Sequence, residues 1–150
     1  MIMKKILFVC TGNTCRSPMA EALFNDIAKK ENVDAVALSA GLFTEDGLPY
    51  SENSVQALSE EGIVLDGSSR VITKELVRDS DMIFGLTESH GQGVISAFPD
   101  FADKVYRFPM NISDPFGGDI VTYKKCLSQI KDGMEKIIEF LKNEEKHNEA

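Results

Sequence analysis

A cysteine and an arginine separated by five residues are the side chains best placed to do chemistry together. They are Cys10 and Arg16, in the segment VCTGNTCRSP at residues 9–18. A guanidinium offers a planar fork of N–H donors matched to phosphate oxygens, and a thiol close to it loses its proton readily and becomes a nucleophile. The pair therefore indicates nucleophilic chemistry on a phosphate. A buried structural cysteine is the alternative reading.

The neighbouring segments predict how this pair is held. Residues 6–9, Ile-Leu-Phe-Val, have the composition of a buried parallel strand, and Pro18 is suited to the first turn of a helix. Between them, Gly12 and Asn13 tolerate positive φ, so the loop can curl and turn its amide N–H groups inward above the helix N-terminus. A Walker-type nucleotide loop would need GxxxxGK[ST], which the sequence lacks.

Residues 10–18, together with Asp114-Pro115 far downstream, resemble the low-molecular-weight protein tyrosine phosphatase family. The segments CTGNTCRSPMAE and DPFGG are most similar to its bacterial protein arginine phosphatase branch. This resemblance implies hydrolysis of phosphoarginine on phosphorylated protein substrates, with a phosphocysteine intermediate and inorganic phosphate as product. Phosphotyrosine is the alternative substrate. In the tyrosine-directed enzymes the Asp-Pro pair is usually followed by tyrosines, whereas this chain has Phe116.

The roles of three residues follow from that mechanism. Cys10 attacks phosphorus, while Arg16 and the amides of the loop hold the equatorial oxygens. Asp114, on a loop rich in proline and glycine, protonates the leaving group and then accepts a proton from the attacking water. For Asp114 the alternative is a turn residue that precedes proline.

The remaining site candidates lie in the loop or on two other loops. Those expected to bind substrate or phosphate are Thr11, Gly12, Asn13, Thr14, Cys15, Ser17, Phe43 and Phe116. Ser17 is expected to donate its hydroxyl to the Cys10 thiolate, to cap the helix, or both, and Asn13 to brace the loop. Cys15 either forms a reversible disulfide with Cys10 or is a small buried residue. The resemblance implies that Thr14 shapes the pocket floor, because tyrosine-directed relatives typically carry a bulkier aliphatic residue there.

Composition limits the partners. The chain has 150 residues, 43% of them hydrophobic, so we expect one domain over residues 1–150. A net charge of −8 argues against nucleic acid and membrane partners.

The apolar run at residues 6–10 is too short for a signal core, and three cysteines do not make a disulfide framework, so we expect a cytoplasmic protein. We also expect a monomer.

The pattern along the chain alternates strands with helices. Strands are predicted at 4–10, 35–40, 81–86 and 105–108, and helices at 17–30, 52–61, from 74, at 88–98 and from about 123 to 141. Val55 and Leu58 are expected to face inward, and the charged tail at 142–150 to fray into solvent. The order predicts an α/β fold in which an open four-stranded parallel sheet is covered by helices on both faces, a Rossmann-like phosphatase fold. The loop would lie at the carboxyl end of the first strand.

Two further classes of protein stay open. Thiol-dependent arsenate reductases share this fold and nucleophile but need additional downstream cysteines, for which Cys126 in a predicted helix is a poor substitute. A phosphocysteine carrier would keep its phosphate, whereas Arg16 with an acid at Asp114 favours hydrolysis. No cofactor is expected. His90 and His147 stand alone, so no metal site or catalytic pair is predicted.

Overall fold

A computed structural model describes residues 3–149, with side chains through residue 147. The elements in chain order are β1 (Lys4–Cys10), α1 (Arg16–Lys30), β2 (Ala35–Gly41), α2 (Glu52–Ser59), α3 (Lys74–Asp79), β3 (Met82–Gly85), α4 (Glu88–Ala97), a 3-10 helix (Pro99–Lys104), β4 (Val105–Arg107) and α5 (Ile120–Glu149).

The four strands form one parallel sheet in the order β2-β1-β3-β4. The central strands β1 and β3 are buried on both faces, which is why each is an almost continuous apolar run. All four strands point the same way, so the loop after β1 lies at the carboxyl edge of the sheet. The predicted fold class is confirmed.

Each face of the sheet has its own apolar core. Ile6 and Phe8 of β1 face α1, α2 and α5, and Phe8 packs against Phe24 and Phe84. Leu7 and Val9, which alternate with them, join the smaller core beneath α3 and α4. Strand β1, which ends at Cys10, is therefore held between two layers.

Two glycines allow elements to approach the site closely. A Cβ on Gly41, at the end of β2, would lie 2.7 Å from the carbonyl oxygen of Thr11. A Cβ on Gly85, at the end of β3, would lie 2.3 Å from the backbone nitrogen of Gly91 in α4. Side chains do not fit at these distances, so β2 and α4 contact their neighbours backbone to backbone.

Two expectations for the helices are wrong. The tail does not fray before residue 149, because α5 continues through Glu149; Ala150 lies outside the described residues. Two of its glutamates have partners: Glu144 pairs with Lys4 at 2.6 Å, and Glu145 accepts the backbone N–H of Asp34 at 2.7 Å. Val55 does not face inward and is 38% exposed, although Leu58 is buried.

Candidate active site

The loop of residues 11–15 joins β1 to α1 and is shaped by main-chain contacts. Asn13 has φ of +54°, as its residue type allows. The chain after β2 supports the first part of the loop, because the amides of Leu42 and Phe43 donate to the carbonyls of Cys10 and Thr11, each at 3.0 Å. These contacts hold the loop at the sheet edge without using its own N–H groups.

The Cys10 sulfur lies 2.9 Å from the hydroxyl oxygen of Ser17. A hydrogen bond from Asn13 determines the orientation of that hydroxyl. Its two amide protons are donated to Ser17 Oγ at 2.8 Å and to Ser39 Oγ at 2.9 Å. Ser17 therefore accepts from Asn13 and has its own proton free for the sulfur, and such a donor stabilises a thiolate. Ser17 is not the helix cap: α1 begins at Arg16 with Cys15 preceding it, and no side chain caps it.

The network continues behind the loop to residues that the sequence analysis missed. Ser39 donates its hydroxyl to Glu21 at 2.9 Å, and the backbone N–H of Arg70 donates to Asn13 Oδ1 at 2.8 Å. Burial raises the pKa of Glu21, and the hydrogen bond from Ser39 opposes that rise. Asn13 is fully buried, so its side chain braces the loop from the protein side. No motif links residue 70 to residue 13, so only the fold reveals this contact.

Arg16 is buried beneath the site, and Asp114 lies at its rim. One guanidinium nitrogen donates to the carbonyl of Ile112 at 3.0 Å, and the other lies 3.8 Å from Asp114 Oδ2. The Asp114 side chain is 58% exposed, and its other oxygen accepts the N–H of Phe116 at 3.1 Å. Asp114 is thus both a turn residue, as the alternative reading held, and a carboxylate facing the arginine.

Three further candidates surround the loop. Phe43 and Phe116 are 82% and 80% exposed, so neither ring is tucked into the core. The Thr14 hydroxyl oxygen would lie 3.7 Å from a Cβ built on Gly12, so the Thr14 side chain leans across the loop towards Gly12. The structure therefore gathers the predicted candidates at one edge of the sheet.

The two other cysteines are buried free thiols. Cys15 lies 3.4 Å from the hydroxyl of Tyr123, and a disulfide between Cys15 and Cys10 stays a prediction. Cys126 lies on α5, where its thiol donates to the carbonyl of Ser113 at 3.7 Å. Burial is the main reason that the pKa of Cys126 is raised to about 12, so this thiol is a poor relay nucleophile.

His90 does not stand alone, contrary to the sequence analysis. It is buried, and its ring nitrogens lie 3.0 Å from the hydroxyls of Thr11 and Thr87. Burial lowers its pKa to about 4, and the charge of Arg16 adds to this effect. The imidazole is therefore neutral at pH 7. A single histidine with no motif around it carries no signal of this contact in the sequence.

Among residues 3–149, whose side chains are described through residue 147, no cluster of three or more histidine, cysteine or acidic side chains is arranged to hold a metal ion. Among the helices of the same range, none has the length and apolar character required to cross a membrane.

Comparison with known proteins agrees with this geometry. Residues 5–147 match the family described as low molecular weight phosphotyrosine protein phosphatase. The chain is 37% identical to the protein-arginine-phosphatase of Bacillus subtilis strain 168, over 93% of this chain and 97% of that protein. It is 36% identical to the low molecular weight protein-tyrosine-phosphatase PtpB of Staphylococcus haemolyticus, over 84% and 91% of the two chains.

A solved structure of YwlE arginine phosphatase, a cysteine-to-serine mutant with a phosphorylated active site serine, superimposes with a TM-score of 0.90 at 36% identity. The match covers 92% of this chain and 95% of that one. The extent of these matches and the cysteine loop at the end of β1 lead to one assignment. The chain belongs to the low molecular weight phosphotyrosine protein phosphatase family.

Proposed function

We propose that this protein is a cysteine-dependent protein arginine phosphatase. Its family acts on phosphorylated protein substrates. One observation supports the chemistry: the Cys10 sulfur lies 2.9 Å from the Ser17 hydroxyl, at the mouth of a loop beneath which Arg16 is buried. The arginine preference rests on Thr14 and on the similarity to curated protein-arginine-phosphatases.

In the proposed first step the Cys10 thiolate attacks phosphorus as the phosphorus–nitrogen bond of phosphoarginine breaks. Arg16 and the amides of the loop hold the equatorial oxygens, which carry the charge in the transition state. Asp114 donates its proton to the departing guanidine nitrogen. The products of this step are a phosphocysteine and a free arginine side chain, with the Asp114 carboxylate left at the rim.

In the second step a water molecule attacks the phosphorus of the phosphocysteine. Asp114 takes a proton from this water, the sulfur–phosphorus bond breaks, and inorganic phosphate leaves with the Cys10 thiolate restored. The 58% exposure of Asp114 fits both steps, because the group must meet a substrate nitrogen and then a water. A carrier protein would stop at the phosphocysteine.

The substrate preference rests on the shape and polarity of the rim. A phosphoguanidinium is planar and cationic away from the phosphate, so it suits the polar Thr14 hydroxyl, the Asp114 carboxyl group as a hydrogen-bond partner and the exposed ring of Phe116. A phosphotyrosine presents an apolar ring at the same place. The exposed Phe43 and Phe116 rings and the similarity to PtpB favour phosphotyrosine as the second candidate substrate.

The test compares kcat/KM for phosphoarginine and phosphotyrosine in peptides of the same sequence. We expect wild type to prefer phosphoarginine and Thr14→Ile to lower that preference at least about tenfold, within the 1 to 3 kcal/mol that such a pocket change is worth. Thr14→Val is the matched control, because it removes the hydroxyl without adding length. A wild-type preference for phosphotyrosine would leave the tyrosine phosphatase as the function.

The cellular setting is part of the proposal. A free thiolate nucleophile at Cys10 requires a reducing environment, so we place the enzyme in the cytoplasm. We propose that it acts as a monomer on protein substrates and binds neither nucleic acid nor membranes, as its net charge of −8 suggests.

A further inference from the structure

His90 lies on α4 and contacts the phosphate-binding loop, residues 11–15. It is not one of the three proposed catalytic residues, Cys10, Arg16 and Asp114. Its Nε2 lies 3.0 Å from the hydroxyl oxygen of Thr11, the residue that follows the nucleophile. Its Nδ1 lies 3.0 Å from the hydroxyl oxygen of Thr87, which caps α4 by accepting the backbone N–H of His90. The imidazole therefore joins the start of α4 to the start of the loop.

The packing of α4 explains why the imidazole reaches the loop. Gly85 at the end of β3 and Gly91 in α4 lie so close that a Cβ on Gly85 would be 2.9 Å from the Cα of Gly91. Gly93 of the same helix faces Leu42, with its Cβ position 2.7 Å from a methyl carbon. Glycine weakens a helix, and here Gly93 of α4, together with Gly85 of β3, lets α4 lie directly on the sheet edge next to Thr11.

The hydrogen-bond partners are both hydroxyls, which can pair with either tautomer, and they favour the tautomer with its proton on Nε2. The Thr87 hydroxyl oxygen accepts the backbone N–H of His90, and the Thr87 hydroxyl proton is donated to the ring nitrogen Nδ1. Nε2 then carries the ring proton and donates it to Thr11 Oγ1. In this arrangement every polar group of the three side chains is used, except the Thr11 hydroxyl proton, which stays available to the site.

We infer that His90 is a positioning residue for the phosphatase reaction: its Nε2–H donates to Thr11 and so holds the first turn of the phosphate-binding loop. The inference deepens the proposed function and rests on its use of the loop amides. Thr11 is exposed and is the first loop residue after Cys10. Besides the bond from His90, main-chain hydrogen bonds from Leu42 and Phe43, just after β2, hold this part of the loop.

The experiment uses three single variants and one double variant of the full chain. His90→Gln keeps an amide donor near the position of Nε2, whereas His90→Asn is too short to reach Thr11 but can still bond Thr87. Thr11→Val removes the acceptor at constant shape, and Thr11→Val/His90→Asn closes a double-mutant cycle. The readouts are the dissociation constants of inorganic phosphate and tungstate, and kcat and KM for para-nitrophenyl phosphate.

We expect His90→Asn and Thr11→Val each to weaken anion binding and raise KM roughly three- to tenfold, the range of one lost hydrogen bond. The double variant should bind the anions no more weakly than the worse of the two single variants. His90→Gln should keep most of the anion affinity that His90→Asn loses. A purely structural role would lower the folded fraction, and so kcat per mole of protein, without moving KM or the anion dissociation constants.

Two results would overturn the inference: additive effects in the cycle, or unchanged anion affinity in His90→Asn. Both are measured with anions alone. They therefore remain decisive even if wild type fails to hydrolyse phosphoarginine or any other phosphate compound, which would refute the proposed function instead.

Discussion

Acidification should destabilise this protein through His90, and the effect can be calculated. The pKa of His90 is lowered from 6.5 to about 4, by burial and then by the charge of Arg16, while Asp114 opposes the shift. Between pH 6.5 and pH 4, His90 is mostly protonated in the unfolded chain and mostly neutral in the folded chain. Stability from this group is therefore complete only well above pH 6.5 and is lost as the pH falls, by about 2 kcal/mol at pH 5 and about 3 kcal/mol at pH 4.

The assay is urea unfolding at pH 7.5, 6, 5 and 4.5, followed by circular dichroism because the chain has no tryptophan. The reference is His90→Gln, which does not titrate, so that the contributions of Glu21 and other carboxyls cancel in the difference. Wild type should lose about 2 kcal/mol relative to His90→Gln between pH 7.5 and pH 5. That is a large part of the 5 to 15 kcal/mol typical of a domain. Parallel pH profiles would refute the reasoning, since they would mean that folded His90 takes up its proton as easily as an exposed histidine.

Three further predictions concern activity and packing. Cys10→Ser should lower kcat at least about a thousandfold with an unchanged melting temperature, while Cys126→Ala stays active; turnover near wild type in Cys10→Ser would end the nucleophile assignment. Asp114→Asn should slow phosphoarginine hydrolysis by about 100-fold or more and para-nitrophenyl phosphate hydrolysis much less, and equal losses would argue against a general acid. Gly85→Ala should cost about 1 to 3 kcal/mol in urea unfolding, because its Cβ would meet Gly91 N at 2.3 Å, whereas Gly91→Ala, which meets only Val105 at 3.7 Å, should be neutral or slightly stabilising.

Local patterns predicted the parts of the fold and site that depend on short-range physics. The buried run of β1 and the positive φ of Asn13 follow from residue types, so the loop was predictable with its position at the sheet edge. Asp114 was found from a resemblance, and its place 3.8 Å from Arg16 depends on the path of the chain through Ile112.

The features that the sequence did not reveal depend on long-range contacts. The N–H of Arg70 reaches Asn13 across 57 residues, and His90 reaches Thr11 across 79. The end of α5 looked like a fraying tail because its charges give no apolar stripe. In the structure it is helical, and Lys4 and the backbone of Asp34 supply partners for two of its glutamates.

The bond from residue 70 to Asn13 distinguishes two kinds of sequence change. The donor is a main-chain N–H, which any amino acid except proline supplies, so this one bond does not depend on the side chain at position 70. It depends instead on the number of residues that bring this part of the chain back to the loop. A substitution at position 70 should thus keep the bond to Asn13 and lose only what the guanidinium adds, a hydrogen bond to the Ser39 carbonyl at 3.0 Å and the charge near Glu21. A one-residue insertion or deletion nearby would instead move the donor away from Asn13. It would also leave Asn13 Oδ1, the oxygen of a fully buried side-chain amide, without its hydrogen-bond donor.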